Sequence, residues 1–369
     1  MVIYWSMIAF TAVIALIEHQ TAFEYYTMDG ILHRKAPVTL AIVWAGYLLF
    51  WIGLRSGVGD TPAYIYGFRD IPVGWYRFFG FLDSAGKGKG FQACAFIFKN
   101  LVSKNYHAWL FFITFVSLYC VTKVFYEQSD NFAFTAYLFI ASCMFTWLLN
   151  GIRQFLACAI LFLYSDWFAE NRRIKYIILI LIVSLIHNTA LVLIPIVIYF
   201  GEKEPWTWKT FLFIILFSVA IFYSDQLLGL FTETEMGKGY ADGLENSEGT
   251  NIIRTVVAAV PVILAFLERQ TVFVEGNTFI KTCVIMSLVS LCFYALSSVT
   301  SGVLLGRLPN YFEIYNMVLL PWLIEHNRNI GISQLLKAGC IVMYLLFFIY
   351  QMTVAWNLYY ISDFTGRIF

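Results

Sequence analysis

The stretch Asn150-Gly151-Ile152-Arg153-Gln154 sets a cation in the middle of about 38 mainly apolar residues, from Asn131 to Phe168. Upstream of it Phe132–Leu149 carries no charge, and downstream Phe155–Tyr164 resumes the hydrophobic run. A guanidinium left in hydrocarbon costs several kcal/mol, so it must reach water, a carboxylate or a phosphate. Asn-Gly favours a turn, which places Arg153 where one helix stops and the next begins. The rest of the chain reads as a frame around that cation.

Composition says what kind of frame. The 369 residues are 60% hydrophobic, 19% aromatic and 13% charged, with a mean hydropathy of +0.73. A soluble domain carries about 25% charged residues, and no soluble core absorbs this much apolar surface. The expectation is an all-α, polytopic transmembrane protein. The net charge of +1 says nothing about nucleic acid, and no basic run suggests such a partner. Val2–Ile17 has neither a basic leader nor a small-residue cleavage site, so it reads as a first spanning helix rather than a signal peptide. The seven cysteines stand singly, with no CxxC pair, and the five histidines show no ligand spacing. Neither a disulfide framework nor a metal site is implied.

At about 20 residues per span, the apolar runs predict about eleven membrane segments, one or more of them broken or re-entrant. They are Val2–Ile17, Pro37–Leu54, Tyr106–Tyr126, Asn131–Leu149, Ile152–Phe168 and Ile174–Phe200, then Trp206–Phe231, Ile252–Leu267, Thr278–Ser298, Leu308–Leu323 and Gln334–Trp356. Residues 1–369 are expected to form a single integral membrane domain, without repeats or a soluble linker. Two loops are long. Arg55–Asn105 includes a Lys-Gly-Lys-Gly stretch and the amphipathic piece Phe91–Val102, and Thr232–Asn251 holds five acids against one lysine.

Lysine and arginine in short loops set orientation. Glu170–Lys175 reads as a cytoplasmic loop. Counting back puts His33-Arg34-Lys35 inside, and Arg55–Asn105 and the Asn150–Gln154 break on the outer face. Counting forward depends on Ile174–Phe200. A single crossing would carry Lys209, Arg269 and Lys337 mostly outside, whereas a segment that dips in and returns at His187-Asn188 keeps them inside. The second reading is taken, with Pro195 and the polar His-Asn-Thr as further signs of a break, and it turns the acidic loop and Arg307 outward.

Four polar clusters sit at or near membrane depth, where ionisable groups are costly and mark function. Arg55-Ser-Gly-Val-Gly-Asp60-Thr-Pro-Ala-Tyr64 offers a guanidinium, exposed backbone N–H groups and a candidate base in Asp60; its plain alternative is a snorkelling helix end followed by a turn. Arg153 and Gln154 follow the Asn150-Gly151 turn, with an interfacial arginine as the alternative. His187-Asn188-Thr189 interrupts an apolar run, and its imidazole could take a proton from a hydroxyl or be a satisfied interior histidine. Gly306-Arg307-Leu-Pro-Asn-Tyr311-Phe-Glu313 opens the tenth run, where Arg307 either snorkels or binds an anion. Arginines with helix N-termini suit a pyrophosphate. No Asp-x-Asp pair, Walker loop or G-x-S-x-G elbow is found, so the chemistry is expected to need no metal, cofactor or nucleotide.

In order along the chain, Arg55, Gly59-Asp60 and Tyr64, then Asn150, Ile152-Arg153-Gln154 and Ala157, then His187 through Pro195, then Gly306-Arg307 and Tyr311-Phe312 resemble the motifs of the EpsG family. These are Wzy-type polymerases of bacterial exopolysaccharide, capsule and O-antigen pathways. The resemblance spans nearly the whole chain. It implies a GT-C-like glycosyltransferase of the cytoplasmic membrane, working at its outer side on undecaprenyl-pyrophosphate-linked oligosaccharides as donor and acceptor. It further implies Arg153 and Arg307 on the diphosphate with Arg55 as a third candidate, Asp60 or His187 as base, and Gln154, Tyr64 and Tyr311 orienting sugars, with Asn150 and Glu313 in the same binding motifs. The loop Arg55–Asn105 would cap the site, and a chain-length regulator and a flippase would be further partners. The Gly- and Lys-rich Trp75–Gly90 stretch and the acidic loop are not accounted for by the resemblance.

Two other classes stay open. A membrane O-acyltransferase also uses an intramembrane histidine, but it leaves several arginines near the outer face unexplained. A flippase or transporter of lipid-linked sugars would more often show matching broken helices in two halves, which the sequence lacks.

Overall fold

The computed structural model describes residues 1–26, 32–86, 88–201, 204–224, 226, 229, 249–300, 302, 305–356, 358–364 and 366–368. The five acids of the loop after Phe231 lie outside the described residues, as does Lys87 of the Lys-Gly-Lys-Gly stretch.

Along the chain come α1 (Val2–Thr21), a hairpin of β1 (Phe23–Tyr26) and β2 (Leu32–Lys35), α2 (Val38–Gly53), α3 (Thr61–Asp70), α4 (Phe78–Ser84), α5 (Lys89–Leu101), α6 (Tyr106–Gln128) and α7 (Phe132–Ala141). Then follow α8 (Ile152–Leu163), α9 (Ser165–Ala169), α10 (Arg173–Ser184), α11 (Leu193–Tyr199) and α12 (Trp208–Phe222). The last described elements are α13 (Ile252–Leu267), α14 (Arg269–Val274), α15 (Thr278–Val299), α16 (Asn310–Glu313), α17 (Asn316–Glu325), α18 (Ile330–Tyr350) and a hairpin of β3 (Tyr360–Ser362) and β4 (Gly366–Ile368). Both hairpins are antiparallel, with Phe23 opposite Lys35 and Tyr360 opposite Ile368; neither has a signal in the local sequence.

The protein is an all-α polytopic membrane protein. Among the described residues Val2–Thr21, Tyr106–Gln128, Thr278–Val299 and Ile330–Ala355 are each long and apolar enough to cross a membrane, and α2, α8, α12 and α13 are shorter apolar helices. Large side chains that a soluble fold would bury, such as Ile42 and Phe50 on α2 or Ile215 and Phe222 on α12, face outward, as lipid-facing helices require.

The chain forms two compact units. The first comprises Met1–Ser165, Ile174–Leu191 and Gly331–Phe369, and the second comprises Asp166–Arg173 and Val192–Ile330.

In the first unit α6 packs on α2 and α8, and α1 packs on α2 and α7. Polar ties fix the α1–α2 pair: the Trp44 indole N–H donates to Thr11 Oγ1 at 3.0 Å, and Tyr47 OH to Ser6 Oγ at 2.7 Å. The apolar run Asn131–Leu149 is not one helix. It breaks after α7 at Cys143, which sits at φ 64°, and continues as a 3₁₀ turn over Met144–Leu148. The hydroxyl of Thr146 donates to the freed Cys143 carbonyl at 2.6 Å, which keeps the break satisfied away from water. The first amides of α7 face the same problem. Asn131 Oδ1 accepts from Phe134 N at 3.1 Å, while the buried Glu18 carboxylate, reaching across from α1, accepts from Phe132 N at 3.0 Å and Ala133 N at 2.7 Å. Ile174–Phe200 is broken as well: α10 stops at Ser184, His187 follows a turn, and a 3₁₀ segment over Asn188–Val192 leads into α11.

In the second unit the largely buried α15 is the centre, with α12, α13, α16 and α17 packed on it.

Replacing Glu18 by Ala strips two charge-assisted bonds from a buried helix start, which is expected to cost on the order of 2 kcal/mol. Thermal unfolding of the purified protein in detergent should show this as a midpoint several degrees lower, and Glu18→Gln should recover part of it.

Candidate functional site

Two of the four sequence clusters interlock in the first unit. The loop between α2 and α3 carries Arg55 to Asp60, and the turn before α8 carries Asn150 to Arg153. Asp60 Oδ2 accepts the Gly151 N–H at 3.0 Å, and Thr61 Oγ1 donates to the Leu149 carbonyl at 3.2 Å. Gly59 has φ 55°, and a Cβ there would stand 2.9 Å from Asn150 Cβ. The loop and the turn therefore touch along their whole contact, about 90 residues apart in sequence.

Arg55 lies under this junction. It is fully buried, with Nε donating to Thr61 Oγ1 at 3.1 Å and Nη1 to Thr114 Oγ1 at 3.2 Å and to the Ile52 carbonyl. Asp60 supplies the opposing charge. Asn150 stands against Gly59, and Gln154 is buried in the first turn of α8.

Arg153 points the other way, towards α3 and α5. Its guanidinium carbon lies 5.9 Å from the ring centres of both Tyr64 and Phe91. Together with Asp60, Tyr64, Gln92 and Trp109, Arg153 lines a cavity of about 290 Å³. Its floor is aromatic: Trp109 stacks on Phe68 with centroids 5.8 Å apart and contacts Phe91 at 5.5 Å. Burial raises the Tyr64 phenol pKa above its ordinary value; the Asp60 charge adds to this and the Arg153 guanidinium opposes it. Tyr64 is thus a neutral hydroxyl at working pH, able both to donate and to accept.

The third cluster adjoins the second through α5. Gly90 N donates to the Leu185 carbonyl at 2.8 Å. Gly88, at φ 78°, opens α5 between the Arg153 guanidinium and the Ile186 carbonyl, so that a Cβ there would meet Nη1 at 2.9 Å and the carbonyl oxygen at 3.1 Å. His187 follows directly, its Nδ1 2.7 Å from Thr189 Oγ1. The glycines of the Lys-Gly-Lys-Gly stretch have a structural reason: at Gly88 the backbone passes close to Arg153, and at Gly90 it passes close to Leu185.

The fourth cluster belongs to the second unit. Arg307 is exposed in the turn before α16, while Tyr311 is buried. Tyr294 OH donates to Glu313 Oε2 at 2.6 Å, and Arg254 lies beside both groups. Gly306 packs against Thr250, whose N–H donates to the Ser297 carbonyl at 2.9 Å. Sequence reasoning overlooked Arg254, although a cation three residues into the apolar run Ile252–Leu267 is the same signal that singled out Arg153.

It also overlooked the C-terminal hairpin, for which no local signal exists. Ser56 N donates to the Ile361 carbonyl at 2.8 Å, Tyr360 OH to the Trp51 carbonyl at 2.6 Å and Ser362 Oγ to the Leu54 carbonyl at 2.6 Å. Asp363 accepts from Tyr106 OH and lies 3.2 Å from His107 Nε2. The chain end is thereby strapped over the loop that carries Arg55 and Asp60.

An all-helical membrane protein with an arginine at a helix break, facing an aromatic-floored cavity, is the class these features define. A model of the EpsG family matches residues 38–362, and the chain belongs to that family. Membership carries a polysaccharide-polymerase type of role in a membrane. Comparison with curated proteins and with solved structures finds no match.

The strap gives a pH prediction. The Tyr106 hydroxyl first, then Ser56 and His107, hold the Asp363 carboxyl below its ordinary value of 3.8. A depressed carboxyl pKa contributes stability above the unfolded value and loses it as pH falls through the folded one. Asp363→Asn should therefore unfold at a lower temperature than wild type at neutral pH, with the gap closing only below about pH 3.8. A gap that closes at higher pH would show that the carboxylate is not held this way.

Proposed function

We propose that the chain is a bacterial polysaccharide polymerase, a GT-C-like glycosyltransferase that joins undecaprenyl-pyrophosphate-linked oligosaccharide repeat units at the outer side of the cytoplasmic membrane. What carries this reading is the junction of Asp60 with Gly151, which presents Arg153 to a cavity whose walls mix aromatic rings with hydrogen-bonding groups. An aromatic floor with a few convergent polar groups suits a sugar ring, and a guanidinium beside it suits the diphosphate.

In this reaction a hydroxyl oxygen of the acceptor sugar attacks the anomeric carbon of the donor. The bond from that carbon to the pyrophosphate oxygen breaks, and lipid pyrophosphate leaves with the electron pair. Arg153 and Arg307 compensate the growing charge on the leaving group, as preorganised cations do in the absence of water. Tyr64, Gln154 and Tyr311 orient sugars, with Asn150 and Glu313 supporting the motifs that hold them. Arg55, the third candidate for the diphosphate, also holds Thr61 and hence the loop from beneath. The acceptor proton goes to His187 or Asp60. His187 is favoured, because one Asp60 oxygen is committed to the Gly151 N–H. The segment 55–105 caps the site, and a flippase and a chain-length regulator are the expected partners.

The test is a reconstituted assay on synthetic lipid-linked repeat unit. Wild type should yield a ladder of higher oligomers, and Arg153→Ala should lose on the order of 10²-fold in rate or more, with Arg153→Lys intermediate. Asp60→Asn, which keeps an acceptor for Gly151, should retain far more activity than His187→Ala. An undiminished ladder from Arg153→Ala would sink the site. Transfer of an acyl group would favour an acyltransferase, and movement of intact substrate across vesicles a transporter.

A further inference from the structure

The second unit holds a cavity that the proposed reaction does not use. Where α13 ends and α14 begins, Trp206, Arg269, Gln270, Val272 and Phe273, with Glu204 and Pro205, enclose about 440 Å³. The space is ample for a small polar head group.

Charge accounting decides which kind. Glu204 is neutralised by Lys281 at 2.7 Å. Glu268 accepts from Thr271 Oγ1 at 3.0 Å and from Asn327 Nδ2 at 2.6 Å, and Glu275 faces Arg328 at 4.0 Å. Arg269 is different. It is exposed, lies over the Phe266 ring at 5.1 Å and donates to the Phe266 carbonyl at 3.3 Å. No carboxylate pairs with it among the described residues. The Trp206 indole N–H, also in the lining, is buried without an acceptor. The cavity therefore offers a guanidinium and the Gln270 amide, with the unsatisfied Trp206 indole N–H in its wall, and Glu204, the acid among its described lining residues, is already paired.

What surrounds it is apolar. Phe266 and Leu267 at the end of α13 and Phe273 and Val274 at the end of α14 all present exposed side chains. A free phosphate ion has no use for such rows, whereas the acyl chains of a lipid do. Tryptophan and arginine at the end of an apolar helix also match the head-group level of a bilayer.

We propose that this cavity binds the phosphodiester head group of an anionic phospholipid, with Arg269 and the Trp206 N–H on the phosphate and the acyl chains along α13 and α14. Basic pockets between spanning helices hold anionic head groups in this manner. The site is independent of the polymerase reading.

The test follows the unfolding midpoint of the full-length protein in zwitterionic micelles, with added phosphatidylglycerol, phosphatidylcholine or inorganic phosphate. Phosphatidylglycerol alone should raise the wild-type midpoint. Arg269→Ala should bind it about tenfold more weakly or worse, the loss expected of one charge-assisted bond. Arg269→Lys should fall between, and Trp206→Phe, which keeps a ring but removes the N–H, should also weaken the response. Arg269 is exposed, so midpoints without added lipid should match wild type; if Arg269→Ala fails that control, Trp206→Phe carries the comparison. Equal stabilisation of wild type and both variants would overturn the site, and an equal response to inorganic phosphate would overturn the lipid as its occupant.

Discussion

A helix that starts inside an apolar region has amide N–H groups with no intrahelical partner, and a membrane supplies no water to take them. The first unit meets this twice with a carboxylate brought from a different element. Glu18 of α1 accepts the opening amides of α7, and Asp60 of the loop before α3 accepts the Gly151 N–H at the entrance to α8. Each carboxylate stitches two distant parts of the chain together. Because the second stitch lies one turn from Arg153, the constraint that makes a broken helix tolerable is also the one that aims the guanidinium.

This explains what was legible in the sequence. A charge inside a run of uncharged residues is visible to any hydropathy argument, so Arg153 and the His187 break stood out. The loop from Arg55 to Tyr64 stood out for the same reason. That these stretches meet was beyond sequence reasoning, since Gly59 packs on Asn150 across a separation no periodicity describes. Glu18 was passed over as the polar end of the first span, and its role appears only once α7 lies beside it. The break at Cys143 also escaped, because Ser142-Cys143 carries neither glycine nor proline to announce it. The strap of Tyr360 and Asp363 on Trp51 and Tyr106 joins the two ends of the first unit's sequence and leaves no local trace.

The aromatic excess divides in the same way. Composition reads it as a membrane-interface belt, and the exposed Tyr76 and Phe79 fit that. Phe68, Phe91 and Trp109 do not. They are buried together between α3, α5 and α6, where they make a rigid floor for the cavity that Arg153 faces. Amphipathic spacing in Phe91–Val102 pointed to a buried face, but only the fold shows that its first residues line this cavity.

Cations near the membrane separate into two kinds once their partners are known. Lys99 is almost fully buried and gives its three protons to the carbonyls of Phe68, Arg69 and Ile71, the open end of α3. Arg55 is buried against two threonines and a carbonyl. The desolvation of Lys99 is offset by the fold itself, whereas Arg55 keeps a buried Nη2 without a partner. Arg153 and Arg269 instead stand over aromatic rings at the walls of cavities. A ring quadrupole supports a guanidinium from its face, and the planar fork matches a planar or tetrahedral anion. Sequence sees four equivalent positive charges in these places. Their surroundings separate them: Lys99 and Arg55 are enclosed by protein groups, whereas Arg153 and Arg269 line cavities.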